Sequence, residues 1–339
     1  MSSVSLKPVN EQVIVITGAS SGIGLATAEA AAARGAKLVL AARSESTLDE
    51  IRGRLEARGS ECISIGCDVA SRADCQRVAD EAIRRFGRID TWVNNAAVSL
   101  YGRIMDVPIQ DLRRQMDVNY WGQVHGSRAA VLRMRDRGGA LINVASALAD
   151  RAIPLQGNYC AAKHAVKAFT DALRMELEEE GLPIAVSLVK PASVDTPFFE
   201  KARTYLGVEP QPVAPVYAPE VVADVILAAA VRPIREVIAG GAGAKLSAAR
   251  FAPRLADRYM ERWTFDGQGT DIPVHGRRDN LYEPVSSDGG ERGRNWHGHT
   301  RESSVYTAAQ MTPLPIVAAF AGLSLLALYS MRRALSASA

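Results

Sequence analysis

The chain is predicted to be an α/β protein built on a doubly wound parallel sheet of about seven strands, with helices on both faces. Three observations predict it. Short apolar runs alternate with helix-period segments along residues 13–240. The first run, VIVI at 13–16, is β-branched throughout, which fits a strand buried on both sides. That run leads straight into a glycine-rich turn, TGASSGIG at 17–24, which opens an alanine-rich helix.

Taken in order, residues 13–16 form the first strand, and residues 25–33 form a helix stopped by Gly35. Residues 37–41 (KLVLA) are the second strand, and 46–58 a charged, periodic surface helix. A third strand at 62–66 ends at Cys67, and a helix follows at 74–86. A fourth strand at 89–93 runs into Asn94, Asn95, Ala96 and Ala97. Residues 109–137 read as one long helical stretch, and 140–144 as the fifth strand. A long helix at 158–180 is stopped by Gly181 and Pro183. Strand six (184–189), a helix (220–231) and a last strand (236–239) close the sheet.

The turn after the first strand has separable requirements. Gly18 permits a tight turn, Gly22 lets backbone approach a pyrophosphate, and Gly24 lets helix and strand pack closely. The exposed amides of the turn, which also contains Ser20, Ser21 and Ile23, act with the positive end of the helix to hold phosphates. At the end of the second strand, where an acid would bind a ribose 2′-hydroxyl, stand Ala42, Arg43 and Ser44. A guanidinium without an acid favours a 2′-phosphate, so NADP(H) is expected over NAD(H); the alternative for Arg43 is a solvated loop arginine. Asp68, just past the third strand, either accepts a bond from an adenine amino group or begins a capped turn before the next helix.

Residues 146–163 carry a serine, then a tyrosine, then a lysine four residues later. On a helix, Tyr159 and Lys163 sit one turn apart on the same face. A phenol ordinarily titrates near 10. A nearby ammonium is expected to favour the phenolate and lower that value, while Ser146 donates a hydrogen bond to a substrate oxygen.

In 339 residues, 47% are hydrophobic, so a sizeable core is available. The net charge of +3 gives no argument for a nucleic-acid partner. The spacing of Cys62, Cys67, Cys75 and Cys160 fits neither a zinc knuckle nor a disulfide framework, and no metal site is expected. A reducing cytosol is the simplest setting for the main domain.

Together these motifs resemble the short-chain dehydrogenase/reductase family: TGASSGIG (17–24), CDV (67–69), NNAA (94–97), Asn119, Ser146, YCAAK (159–163) and PASVDT (191–196), in the family's order over residues 10–240. The resemblance implies a Rossmann-type fold and hydride transfer between nicotinamide and an alcohol or carbonyl. It implies Tyr159 as acid/base, Lys163 as the residue that lowers its pKa and holds the nicotinamide ribose, and Ser146 as stabiliser of the substrate oxygen. It implies Asn119 as the residue that bends its helix and orders a proton-relay water. Asn95 and Ala96 should lie near the ribose, Asp68 and Val69 near adenine, and Val194 and Thr196 against the nicotinamide carboxamide. Asn94 is expected to stabilise the sheet. Ala97 and Ala192 stand where the family has glycine and would carry modest strain if φ there is positive. Dimers or tetramers through long helices are also implied.

The catalytic domain is expected at 8–241. Residues 242–265 read as an amphipathic helix, interrupted at Pro253, either capping the substrate side or presenting a basic face to a membrane. Residues 266–307 are rich in Gly, Asp, Arg and Ser and read as a flexible linker, in which Asp279–Pro284 is a candidate to dock on the domain. No charge occurs from Ala308 through Met331, a span of roughly 35 Å as a helix, so residues 308–333 read as a membrane anchor. Arg332 and Arg333 run against a simple spanning orientation and leave a monotopic insertion open. The expectation is therefore a membrane-associated oxidoreductase with its catalytic domain in the cytoplasm and a lipophilic substrate. The alternative is a non-catalytic, membrane-tethered NADP(H)-binding module.

Overall fold

The computed structural model describes residues 4–241, 249–274, 276–285 and 289–312. Its centre is one parallel sheet of seven strands: β1 (Val13–Thr17), β2 (Lys37–Ala42), β3 (Cys62–Gly66), β4 (Thr91–Asn94), β5 (Gly139–Val144), β6 (Ile184–Pro191) and β7 (Glu236–Ala239). The order is β3-β2-β1-β4-β5-β6-β7, with every pairing parallel, so the doubly wound expectation holds. Sequence order reverses between β1 and β4, which places a crevice at their carboxyl ends.

Seven helices flank the sheet: α1 (Gly22–Ala33), α2 (Glu45–Glu56), α3 (Arg72–Phe86), α4 (Ile109–Met116), α5 (Gly122–Met134), α6 (Gly157–Glu179) and α7 (Pro219–Val231). Successive strand residues alternate between two cores. Ile14, Ile16, Leu38, Leu40 and Ile142 pack with Ala28 and Ala31 of α1 and Val222, Val225 and Ile226 of α7. Val13, Val15, Val39, Trp92 and Leu141 pack with Val78, Ala79 and Ala82 of α3 and Ala130 and Met134 of α5. Each fully buried branched side chain contributes about 1.5–3 kcal/mol, so both layers are held by many such residues rather than by polar contacts.

Two elements differ from the sequence reading. The fourth strand begins at Thr91 rather than at residue 89; just before it the Asp90 carboxylate accepts from the Val13 amide at 2.9 Å. The stretch 109–137 is not one helix: a π-helical turn, Asp117–Trp121, separates α4 from α5. A single inserted residue barely disturbs a 3.6-residue pattern, so periodicity does not register it.

The C-terminal extension departs further. Helix α8 (Pro253–Trp263) begins at Pro253 instead of being interrupted there, since proline at the first helical position gives up an amide that had no intrahelical partner. Residues 266–307, expected as a flexible linker, lie on the domain wherever they are described. Residues 269–273 pair antiparallel with 208–210, and 300–301 pair with 216–217. Leu281 is fully buried in the second core. Helix α9 (Val305–Met311) lies along β7, where Gln310 Oε1 accepts from the Ile238 amide (3.1 Å) and its Nε2 donates to the Ile238 carbonyl (3.0 Å). Composition counts apolar residues and so misses a segment held mainly by polar bonds. Residues 313–333 of the expected anchor lie outside the described residues. Among the described residues no helix is long and apolar enough to cross a membrane.

Candidate functional site

The glycine turn between β1 and α1 is shaped by close backbone approach. Gly18 sits at φ +68°, where a Cβ would stand 2.8 Å from the Ala96 Cα. A Cβ on Gly24 would stand 2.1 Å from the Gly18 carbonyl oxygen, so helix and turn pack without room for any side chain. Thr17 Oγ1 accepts from the amides of Asn95 (3.0 Å) and Ala96 (3.2 Å), and Asn95 Nδ2 donates to the Thr17 carbonyl at 3.0 Å. The loop after β4 therefore braces the turn from the side. Lys201 Nζ donates to Ser21 Oγ at 2.9 Å, bringing a cation to the positive end of α1.

A cavity of about 680 Å³ opens at this crevice. Gly18, Ser20, Ser21, Gly22 and Ile23 line one end, with Arg43, Asp68, Val69, Asn95 and Ala96. Ser146, Tyr159, Lys163, Val194 and Thr196 line its middle, so these separately predicted residues meet in one space. Gly24 and Asn119 stand behind the wall. Ala97 and Ala192 avoid the feared strain: among the described residues the non-glycine position with positive φ is Leu155, at 65°. Among the described residues no cluster of His, Cys, Asp or Glu is arranged to hold a metal ion.

Near the ends of β2 and β3, Arg43 and Asp68 have protein partners. Arg43 Nη1 donates to the Tyr282 carbonyl (2.8 Å) and Nη2 to the Asn280 carbonyl (2.5 Å). The guanidinium sits between turn and extension. Asp68 accepts from Arg114 Nη2 (2.6 Å) and from the Ala70 amide (3.0 Å), and its carbonyl accepts from the Ser71 amide (2.8 Å), so it begins the turn whose Ser71 Oγ caps α3 by accepting from the Asp74 amide. Asn94 is buried and donates to Asn143 Oδ1 (2.8 Å) and Ser127 Oγ (3.0 Å), tying β4 to β5.

Ser146 follows β5 and accepts from the Leu148 amide at 3.1 Å. Tyr159 and Lys163 lie one turn apart near the start of α6. Tyr159 keeps part of its surface toward the cavity, its ring edge-on to Phe198 at 6.0 Å. Lys163 is buried, its Nζ donating to the Val144 carbonyl at 2.9 Å and standing 5.6 Å from the Tyr159 ring centroid. Asn119, in the π turn, holds both backbone groups of Val98: its Oδ1 accepts from the amide (2.8 Å) and its Nδ2 donates to the carbonyl (2.9 Å). The distortion of the helix is thus used to aim one amide at the loop after β4.

The electrostatics correct one expectation. Burial raises the Tyr159 phenol above its ordinary value, and the hydrogen bond with Ser146 only partly offsets this. Burial also lowers Lys163, to about 7. Both groups are pushed toward their neutral forms, because desolvation disfavours phenolate and ammonium alike. A lowering of the phenol by Lys163 is not what this arrangement does by itself.

The sequence reading of 242–265 as a helix capping the substrate side, and of Asp279–Pro284 as a docking segment, agrees with the cavity walls, but it did not name the individual wall residues. Asn280, Pro284 and Val285 line the cavity, as do Leu255, Tyr259, Met260 and Trp263 of α8 with Phe198 and Val213. The 251/255/259/263 spacing of large apolar residues was the available signal for the helix. No comparable pattern marks Asn280.

The residues present fit a dinucleotide: a glycine turn at a helix N-terminus, a lysine beside it, an arginine at the second strand end, and a buried acceptor, Asn280 Oδ1, with no hydrogen-bond partner. Known proteins agree with this architecture. The sequence profile of short chain dehydrogenases matches residues 12–206. The uncharacterized oxidoreductase YxnA of Bacillus subtilis is 44% identical over 324 residues, covering 94% of this chain and 91% of that one. An 11-beta-hydroxysteroid dehydrogenase A of Sesamum indicum is 38% identical over 187 residues, 55% of this chain and 53% of that one. Among solved structures, a short chain dehydrogenase/reductase from Burkholderia phymatum in complex with NAD is 30% identical with a TM-score of 0.64, over 78% of this chain and 98% of that one. An alcohol dehydrogenase from the archaeon Thermococcus sibiricus complexed with 5-hydroxy-NADP is 26% identical with a TM-score of 0.59, over 67% and 95%. Matching motifs, sheet order and relatives lead to one conclusion: this chain belongs to the short-chain dehydrogenase/reductase family of oxidoreductases.

Proposed function

We propose that the chain is an NADP(H)-dependent oxidoreductase acting on a lipophilic alcohol or carbonyl compound, with Tyr159 as the proton donor and acceptor. The observation that carries this reading is the single cavity shared by the glycine turn, Tyr159 and the apolar face of α8. A bound nicotinamide supplies hydride chemistry. The chain's own residues then have three tasks. The turn and Lys201 hold phosphates at the N-terminus of α1. Ser146 and Tyr159, which line the same cavity, orient the substrate oxygen, and Tyr159 gives or takes its proton. Lys163, held by the Val144 carbonyl, stands beside the phenol and favours the phenolate whenever it is protonated. Asn119 keeps the Val98 backbone in place as a positioning residue.

The 2′-phosphate preference rests on Arg43 at the end of β2, with no acid beside it. The lipophilic preference rests on Phe198, Leu255, Met260 and Trp263, which face the cavity beyond Tyr159. A screen of aldehydes, ketones and sterols with NADPH and NADH tests both. Tyr159→Phe is expected to cut turnover about a thousandfold while leaving dinucleotide affinity unchanged. Retained turnover would remove Tyr159 from the mechanism, and a clear NADH preference would remove the role given to Arg43. Membrane association is proposed on the uncharged apolar stretch of 313–331 alone. Fractionation of cells expressing the chain with and without residues 313–339 tests it, and an unchanged distribution would end the proposal.

A further inference from the structure

The extension does more than cover the domain: it reaches the cofactor end of the cavity. Asn280, Pro284 and Val285 line the same space as the glycine turn, Arg43 and Asp68. Asn280 Oδ1 is buried there without a hydrogen-bond partner. A buried acceptor left unpaired in a cavity wall is costly unless something that enters the cavity donates to it. The adenosine half of a dinucleotide carries suitable donors, an exocyclic amine and ribose hydroxyls.

The segment is held rigidly enough to serve as a binding wall. The Asn280 amide donates to the Lys201 carbonyl at 2.9 Å. The Asn280 and Tyr282 carbonyls take Arg43, and the Leu281 carbonyl takes Arg114 Nε at 3.1 Å. Asp279 accepts from Arg203 at 2.9 Å, and Tyr282 OH donates to Asp111 at 2.7 Å. Leu281 itself is fully buried. Farther along, the Gly290 carbonyl accepts from the Gly22 amide at 2.9 Å, so the extension touches the glycine turn as well.

We propose that residues 280–285 are part of the dinucleotide site, with the Asn280 side-chain oxygen accepting a hydrogen bond from the adenosine moiety, and with Asp111 and Tyr282 as positioning residues for that wall. This rests on the oxidoreductase reading and deepens it. The cofactor of this chain would be enclosed by two parts of the sequence more than two hundred residues apart.

The test uses the full chain, NADPH and NADH as probes, and two variants outside the catalytic set. Asn280→Ala leaves the backbone carbonyl to Arg43 and removes only the side-chain acceptor. It is expected to raise the dissociation constant of both dinucleotides about three- to tenfold. Tyr282→Phe is expected to raise it about two- to threefold by loosening the clamp. Neither should change the melting temperature of the protein without dinucleotide by as much as it shrinks the dinucleotide-induced shift. Hydrogen exchange of residues 279–285 should slow when dinucleotide is added to the wild type. Unchanged affinities in both variants, or unchanged exchange, would overturn the proposal while leaving the oxidoreductase reading standing. Failure of the wild type to bind either dinucleotide would bring down both.

Discussion

The sheet domain and the C-terminal extension are held in place by different forces. In the domain, seven strands exchange backbone bonds along parallel ladders, and two apolar layers fill the space to the helices. In the described part of the extension, the ladders are only two to five residues long. Arginine side chains take their place: Arg43 grips the carbonyls of Asn280 and Tyr282, Arg114 that of Leu281, and Arg277 that of Ala202 at 2.6 Å. Asp195 joins them, its two oxygens accepting from the Gly293 amide (3.1 Å) and from Thr300 Oγ1 (3.0 Å). A segment poor in apolar surface can therefore be fixed to a domain when the domain offers well-placed donors and acceptors, each net worth about 0.5–1.5 kcal/mol for a neutral pair and about twice that with a charge.

The two modes can be pulled apart experimentally. Leu281 is the place where the extension borrows the domain's mode, so Leu281→Ala should have the largest effect, a loss of about 3 kcal/mol. Because Leu281 shares a core with β1 and β4, the loss should appear in one cooperative denaturant transition. A separate early transition would show that the extension unfolds independently. Asp111→Asn comes next, at about 2 kcal/mol. Burial alone would raise the Asp111 carboxyl, but bonds from Tyr205, Arg203 and Tyr282 outweigh it and hold the carboxyl below its usual range. Proteolysis within 276–285 should quicken in this variant while far-UV circular dichroism stays the same; equal cleavage rates would mean the clamp holds without the charge.

The third test concerns the domain alone. Lys163 titrates near 7 when folded and near 10.5 when unfolded. Between those values the unfolded chain binds a proton that the folded chain does not, so this group makes stability rise with pH across that window. Below about 7 the full penalty of a buried ammonium is present, and above about 10.5 it is gone. Lys163→Met should therefore be stabilised relative to the wild type most at pH 7 and progressively less toward pH 9.5, read from urea midpoints. A difference that stays flat over that range would mean that the amine does not change its protonation on folding there.

Much of the domain was legible because its determinants are local. The alternation of apolar runs with helical periods located all seven strands to within a few residues, and the glycine turn announced itself by its place between a strand and a helix. The meeting of Ser146, Tyr159 and Lys163 followed from residue spacing and one helical turn. Other features were invisible for stated reasons. Periodicity did not register the π turn at Asn119, since the repeat tolerates one added residue; only the family resemblance implied a bend there, and the Val98 backbone that Asn119 holds lies 21 residues away. The direction of the Tyr159 and Lys163 shifts depends on burial, which spacing does not report.

The sequence by itself determined the class of fold, the order of its elements and the family to which the chain belongs, since these rest on periodicity and on short motifs whose physics acts within a few residues. Only the tertiary structure decided where residues 266–312 go and what Arg43 touches. Those outcomes depend on single hydrogen bonds between groups up to 239 residues apart, and a polar residue free to pair with any backbone carbonyl carries no mark of which one it will find.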